Sequence, residues 1–257
     1  MLTNKDLKEV HHILAQEPRL LKIKGAGSLV FVGDTHGDCD ASKKVLKNYL
    51  VPNTKIVFLG DYVDRGGSSI ENINFLLSMK LHYPEQIFLL MGNHEGYGIL
   101  RFSPTDFWEI LSCEEMKIYK CVLSCMPYAL TTENGIIALH GVLPDLDSLE
   151  KIDEVKPGDE NWFKITWGDF IDKKGEYLGE SGLGRPTYGK TYFDRVMEAL
   201  GKQVLVRSHQ PNISQTIFEG RCLTIFTSRA YGRKRNIAIV DLAQDIKSAK
   251  DIVLKKI

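Results

Sequence analysis

Five apolar runs punctuate the chain: SLVFV at 28–32, IVFL at 56–59, IFLLM at 87–91, GIIAL at 135–139 and QVLVR at 203–207. Each stops at a short polar segment carrying Asp, Asn or His: GDTHG, GDYVDRG, GNHEG, HGVL and SHQ in turn. Near-continuous apolar runs of this length predict strands covered on both faces. Between the first three, residues 40–50 and 69–82 carry helical patterns, which makes a β-α-β-α-β unit. Right-handed crossovers place those three strands in one parallel sheet, with their C-terminal ends along one edge. Ligands bind at that edge in open α/β sheets.

The pattern is less regular elsewhere. An N-terminal helix is expected with Thr3 and Asp6 as its cap. Residues 94–126 read as largely helical, 142–185 as loop-rich, and 190–200 as a helix. The runs at 203–207, 213–218, 222–226, 236–240 and 250–254 predict a second, more antiparallel β region. No repeat of fixed period, low-complexity tract or linker composition divides residues 1–257, so one domain is expected. The expected fold class is α/β, a two-sheet sandwich with helices outside.

Composition narrows the function. A chain of 257 residues, 43% hydrophobic, can bury a large core. With Lys+Arg and Asp+Glu balanced at 33 each, nothing points to nucleic acid or an anionic membrane. Any phosphate chemistry must rest on local charge. The polar start is not a signal peptide, and no apolar run approaches a membrane span. The odd count of five cysteines, with no CxxC pair, predicts reduced thiols in a cytoplasmic protein, Cys121 and Cys125 being small core residues. His11, His12 and His82 read as surface residues, Trp108, Trp162 and Trp167 as core or groove aromatics, and GRKR at 232–235 as a solvated turn.

Candidate chemistry gathers at the strand ends. Asp61 and Asp64, beside Arg65, follow a buried strand, where charge needs strong partners. Isolated Asp and Asn usually serve as caps and turn formers, but here they recur in matched positions. The candidate ligands are Asp34, His36, Asp61, Asn93, His140 and His209. Six oxygen and nitrogen donors without a thiolate suit two divalent first-row ions, manganese foremost, with iron, zinc, cobalt or nickel as alternatives. One aspartate such as Asp61 can bridge two ions about 3.5–4 Å apart. The glycines at 33, 37, 60, 66 and 92 allow turns tight enough for side chains of different strands to meet.

The set GDTHG, GDYVDRG and GNHE resembles the signature of the calcineurin-like metallophosphoesterases. The spelling GDYVDRG is similar to that of their phosphoprotein phosphatase branch, the serine/threonine protein phosphatases. TWGDF around Trp167 and Asp169, HG at His140 and Gly141, RSHQ at 207–210 and IFTSRAYG ending the loop of Tyr231 extend the resemblance over about residues 28–240. It implies an αββα sandwich of two mixed sheets flanked by helices. It also implies Asp34, His36 and Asp61 around a first metal, and Asp61, Asn93, His140 and His209 around a second. A metal-bridging hydroxide would attack phosphorus directly, with His94 as general acid oriented by Asp64. Arg65, Asn93, Arg185 and Tyr231 would bind the substrate, a phosphoserine or phosphothreonine on a protein. Regulatory subunits are not readable from the motifs. Arg185 departs from the family spacing, and Arg229 stands where eukaryotic relatives have a proline, so Arg229 is expected to supplement phosphate binding or select acidic substrates. A diadenosine tetraphosphatase or other nucleotide phosphohydrolase is the alternative within enzymes, and an inactive phosphoprotein-binding module is the alternative outside them.

Overall fold

The structure is a computed structural model that describes residues 2–182, 184–232 and 235–257. Arg233 and Lys234 of the predicted basic turn lie outside the described residues. In chain order the elements begin with α1 (Asn4–Gln16), β1 (Leu20–Ile23), β2 (Ser28–Val32), α2 (Cys39–Tyr49), β3 (Thr54–Phe58), α3 (Ser69–His82) and β4 (Ile87–Leu89). They continue with α4 (Asp106–Ile110), α5 (Cys113–Leu123), β5 (Ala129–Thr132), β6 (Ile136–Leu139), α6 (Glu160–Trp167), β7 (Asp169–Phe170), β8 (Tyr177–Glu180) and β9 (Pro186–Tyr188). The last are α7 (Lys190–Ala199), β10 (Val204–Arg207), β11 (Thr216–Ile217), β12 (Cys222–Thr224), β13 (Asn236–Asp241) and β14 (Val253–Lys256).

Two mixed sheets carry the fold. The first has the order β14-β13-β2-β3-β4, the second β1-β5-β6-β10-β12-β11, and a small three-stranded sheet β7-β9-β8 stands apart. As the apolar runs predict, β2, β3 and β4 are parallel and linked through α2 and α3. Alternate residues serve different cores. Leu29, Phe31, Val57 and Leu59 join Ile136, Ala138, Val204 and Val206 between the sheets. Val30, Val32, Ile56 and Phe58 instead join Val45, Leu46, Ile73 and Leu76 of the helical layer. Burial on both faces is why these strands are apolar without alternation. The αββα sandwich follows.

Several expectations change. The strands at 236–240 and 250–254 do not build a second antiparallel region; β13 pairs antiparallel with β2, β14 with β13, and both complete the first sheet. In the second sheet β10 lies parallel to β6 and β12. The run 213–218 contributes only Thr216–Ile217. The segment 142–185 is more than loop, since α6, β7 and β8 lie in it, with strands too short to show a period. Residues 94–126 break into one turn at Glu95–Gly98, five residues of α4, and α5, with Pro104 between the first two. β1 and β5 escape the sequence reading altogether. Cys121 is exposed because α5 turns that face outward, so it is not a core residue, whereas Cys125, just past α5, is half-buried and packs against the core. All three tryptophans are buried, and Thr3 and Asp6 form the expected capping box.

The first sheet sets the functional edge. Beyond β2, β3 and β4 the chain passes through Gly33, Gly60 and Gly92, and the turns there pack together. At Gly60 the backbone has φ +105°, and an added Cβ would lie 2.5 Å from the Gly92 nitrogen and 2.9 Å from Nδ1 of His140. Gly60→Ala therefore combines a strained conformation with a backbone clash, and should lower the unfolding free energy by about 3 kcal/mol. Urea unfolding measures this; a stability equal to the parent would contradict the close approach.

Candidate active site

Five non-glycine residues at this edge have left-handed backbones: His36, Asp61, Asp64, Arg65 and His209. Such conformations are sparse outside glycine and persist where surrounding contacts over-determine them. Those contacts centre on Glu95. Its buried carboxylate accepts the N–H groups of Asp61 (2.8 Å), Tyr62 (2.9 Å) and Gly92 (3.0 Å), tying the turns after β3 and β4 together. Tyr62 adds a hydroxyl bond to the Leu90 carbonyl at 2.6 Å. Trp108 donates its indole N–H to the His94 carbonyl at 3.0 Å, and Trp162 closes over Gly96. Glu95 is the residue that the sequence reading left without a role, although it ends the GNHE motif; only its three-donor position reveals it.

The predicted ligands Asp34, His36, Asp61, Asn93, His140 and His209 are all buried and come together. His36 Nδ1 lies 2.9 Å from the Val63 carbonyl, and His140 Nδ1 lies 2.8 Å from that of Leu59. A carbonyl can only accept, so both Nδ1 atoms carry a proton and both Nε2 atoms turn to the centre. Asp61 divides its carboxylate: Oδ2 lies 3.5 Å from His36 Nε2, and Oδ1 lies 3.3 Å from His140 Nε2. Asn93 Oδ1 and His209 Nδ1 stand 3.3 Å and 3.0 Å from the same His140 nitrogen. Asp34 Oδ2 is 3.6 Å from His36 Nε2. Two donor groups thus share Asp61, one holding Asp61 with His36, the other Asp61 with His140 and His209.

Divalent ions fit this donor set. Asp34 Oδ2 is buried without a hydrogen-bond partner, which the interior rarely tolerates. Burial and the charge of Asp61 push the Asp34 carboxyl up. Asp61 shows the opposite balance: burial favours its neutral form, but His140, His94 and His36 hold it well below the usual carboxylate range. His140 is raised to about 9, since Asp61 and Asp34 outweigh the burial that opposes its charge. Burial, then Arg185, lowers His209 well below its usual value. Burial and Asp61 likewise lift Glu95 to about 7, against its three N–H donors. Positive charge at the centre would relieve each carboxylate.

Beside these groups stands a second kind of histidine. Nδ1 of His94 is 2.5 Å from Asp64 Oδ2, and the other Asp64 oxygen accepts the Phe107 N–H at 2.6 Å. Asp61 and Asp64 raise the pKa of His94 against burial. Its Nε2 lies 3.9 Å from Asp61, close enough to count as a ligand geometrically. Asp34 is the better partner for His36 and Asp61, because its free oxygen has no other bond, whereas His94 is committed to Asp64. The predicted substrate residues sit at the rim. Arg65 is exposed, its backbone N–H held by Asp106 (3.0 Å), and its charge bears on Tyr231. The Tyr231 hydroxyl is 3.5 Å from His36 Nε2. Arg185 is half-buried, 5.6 Å over the Trp167 ring, and its charge bears on Asp169 and His209. Arg229 is exposed, and its backbone N–H donates to Asp38.

A family model described as calcineurin-like phosphoesterase matches residues 27–212, and the chain belongs to that family. It is 30% identical over 233 residues to the serine/threonine-protein phosphatase PP2A-like PPG1 of Candida albicans, covering 85% of this chain. The chain spans 55% of that relative's length. Among solved structures, the protein serine/threonine phosphatase of Saccharomyces cerevisiae with similarity to human phosphatase PP5 superimposes with a TM-score of 0.84 at 20% identity, over 98% of this chain and 87% of that one. The cold-active protein-tyrosine phosphatase of a psychrophilic Shewanella gives 0.60 at 17% identity, over 95% and 84%. These likenesses establish the fold. Family membership establishes divalent metal ions as cofactors. No helix among the described residues is long and apolar enough to cross a membrane.

Glu95→Gln places an amide N–H₂ where three N–H donors converge. Loss of charge-assisted bonds should destabilise the fold by about 2 kcal/mol. Divalent-metal affinity should fall about 10–100-fold, the usual effect of removing a partner behind a ligand. Calorimetric metal titration with a parallel melt checks both; unchanged affinity would show that Glu95 does not set Asp61.

Proposed function

We propose that this protein is a metal-dependent protein serine/threonine phosphatase that hydrolyses phosphomonoesters directly, without a phosphorylated enzyme. The observation that carries this reading is the His94–Asp64 pair at 2.5 Å, set beside two donor groups that share Asp61. The 30% identity to a serine/threonine-protein phosphatase supports the choice of substrate, a phosphoprotein.

Asp34, His36 and Asp61 would hold one ion, and Asp61, Asn93, His140 and His209 the other, manganese being the first candidate for a site of oxygen and imidazole donors. When bound, the pair supplies positive charge that makes water acidic and stabilises the phosphoryl transition state. The chain's own groups do the rest. Arg65 and Arg185 would supply planar forks for phosphate oxygens. Tyr231 and the Asn93 side chain fill the remaining polar positions around the phosphoryl group. His94, whose pKa Asp61 and Asp64 raise against burial, delivers its Nε2 proton to the departing seryl or threonyl oxygen. Asp64 fixes the ring so that this proton faces the centre.

Proton delivery matters most for poor leaving groups. His94→Ala should lower kcat on a phosphoserine peptide about 10²–10⁴-fold. The loss on p-nitrophenyl phosphate, whose leaving group needs little protonation, should be much smaller. Steady-state kinetics on both substrates separates the cases; equal losses would remove His94 as the acid. Run beside them, diadenosine tetraphosphate should be the poorer substrate, and a clear preference for it would overturn the protein-phosphatase reading.

A further inference from the structure

The loop that carries Tyr231 is anchored at its base and again near its tip. At the base, the Thr227 N–H donates to the Asp34 carbonyl (3.1 Å), and its hydroxyl accepts the Gly33 N–H (2.9 Å) while donating to the Asn236 carbonyl (2.6 Å). The tip rests on Asp38. That carboxylate accepts the Arg229 N–H at 3.1 Å, the Arg235 Nε–H at 2.8 Å and a second Arg235 N–H through Nη2. It also caps α2 through the Ala41 N–H at 3.3 Å. Nη1 of Arg235 takes Asp40 at 2.7 Å. The Arg235 side chain is 5% exposed, so this fork is buried although Asp40 is open to solvent.

Asp38 follows the predicted ligand His36 by two residues, and Arg235 immediately precedes β13, the neighbour of β2. The pair therefore joins the first ligand turn to the loop opposite it. Tyr231 is 42% exposed, and its hydroxyl approaches His36 without a short bond of its own. We propose that Asp38 and Arg235 are positioning residues that fix the Tyr231 loop over the centre, so that Tyr231 acts only while this buried fork is closed. Two charged, bidentate partners give the direction as well as the hold, which a single hydrogen bond would not. The proposal rests on the phosphatase reading for its kinetic effect but not for its structural one.

The test uses the full chain with manganese, comparing the parent with Arg235→Met, Arg235→Lys, Asp38→Asn, Tyr231→Phe and the double variant Arg235→Met/Tyr231→Phe. Arg235→Met should lower kcat/KM on a phosphoserine peptide about 10–100-fold, the range of a misplaced group. The double variant should be no worse than the poorer single one, because both changes remove the same function. Arg235→Lys should recover part of the activity. Hydrogen exchange at residues 229–232 should accelerate at least about tenfold in Arg235→Met and in Asp38→Asn, while β2 and β3 stay protected. Unchanged exchange at 229–232 overturns the proposal, and so does a double variant whose loss is the product of the two single losses. If the parent lacks phosphatase activity, the functional reading fails while the exchange measurement still decides whether the fork holds the loop. Should Arg235→Met lose protection throughout the fold, Asp38→Asn, which keeps the helix cap, decides by the same criterion.

Discussion

Four carboxylates, Asp34, Asp61, Asp64 and Glu95, are buried within one corner of the fold, and every feature of the site answers to that fact. A buried carboxylate without compensation is costly enough to protonate or to unfold the region. Here the compensation has three sources. Backbone N–H groups surround Glu95, His94 pairs with Asp64, and the histidine nitrogens of His36 and His140 face Asp61. What stays unpaired, such as Asp34 Oδ2, is what divalent ions would take. The left-handed backbones at His36, Asp61, Asp64, Arg65 and His209 are then intelligible as the geometry needed to aim side chains of separate turns inward.

Rigid and adjustable parts are divided between sheet and loops. The donor groups lie within a few residues of strand ends in the two sheets, and their positions are set by a core that is filled on both faces. Groups assigned to substrate binding, Arg65, Arg185 and Tyr231, sit on the rim with partial exposure. Groups that need fixed distances thus stand on packed strands, and those proposed to contact substrate stand on loops. Arg235 and Asp38 connect the two regimes.

Much of this is legible in the amino-acid order, for a physical reason. Strands covered on both faces must be apolar throughout, and their C-terminal ends must break into polar turns if they carry a ligand site, so 28–36, 56–65 and 87–94 announce both strand and site. His140 and His209 can be placed for the same reason. Short strands give no such signal: LLKI at 20–23 pairs with β5 and contributes only four residues, too few to show a period. Sheet membership is also hidden, because β13 looks like any late strand until its register against β2 is known. Glu95 and Arg235 escape notice since their meaning lies in partners distant in the chain, Asp61 34 residues away for one and Asp38 197 away for the other. Cys121 misleads in the opposite direction: a small apolar side chain on a helix says nothing about which face the helix turns to the core.

Anomalous diffraction from crystals grown with manganese would test the central claim most directly. Two peaks are expected, one among Asp34, His36 and Asp61 and the other among Asp61, Asn93, His140 and His209, with Asp61 touching both ions. A single ion, or ions that leave Asp61 unligated, would contradict the shared-carboxylate centre on which the catalytic reading stands.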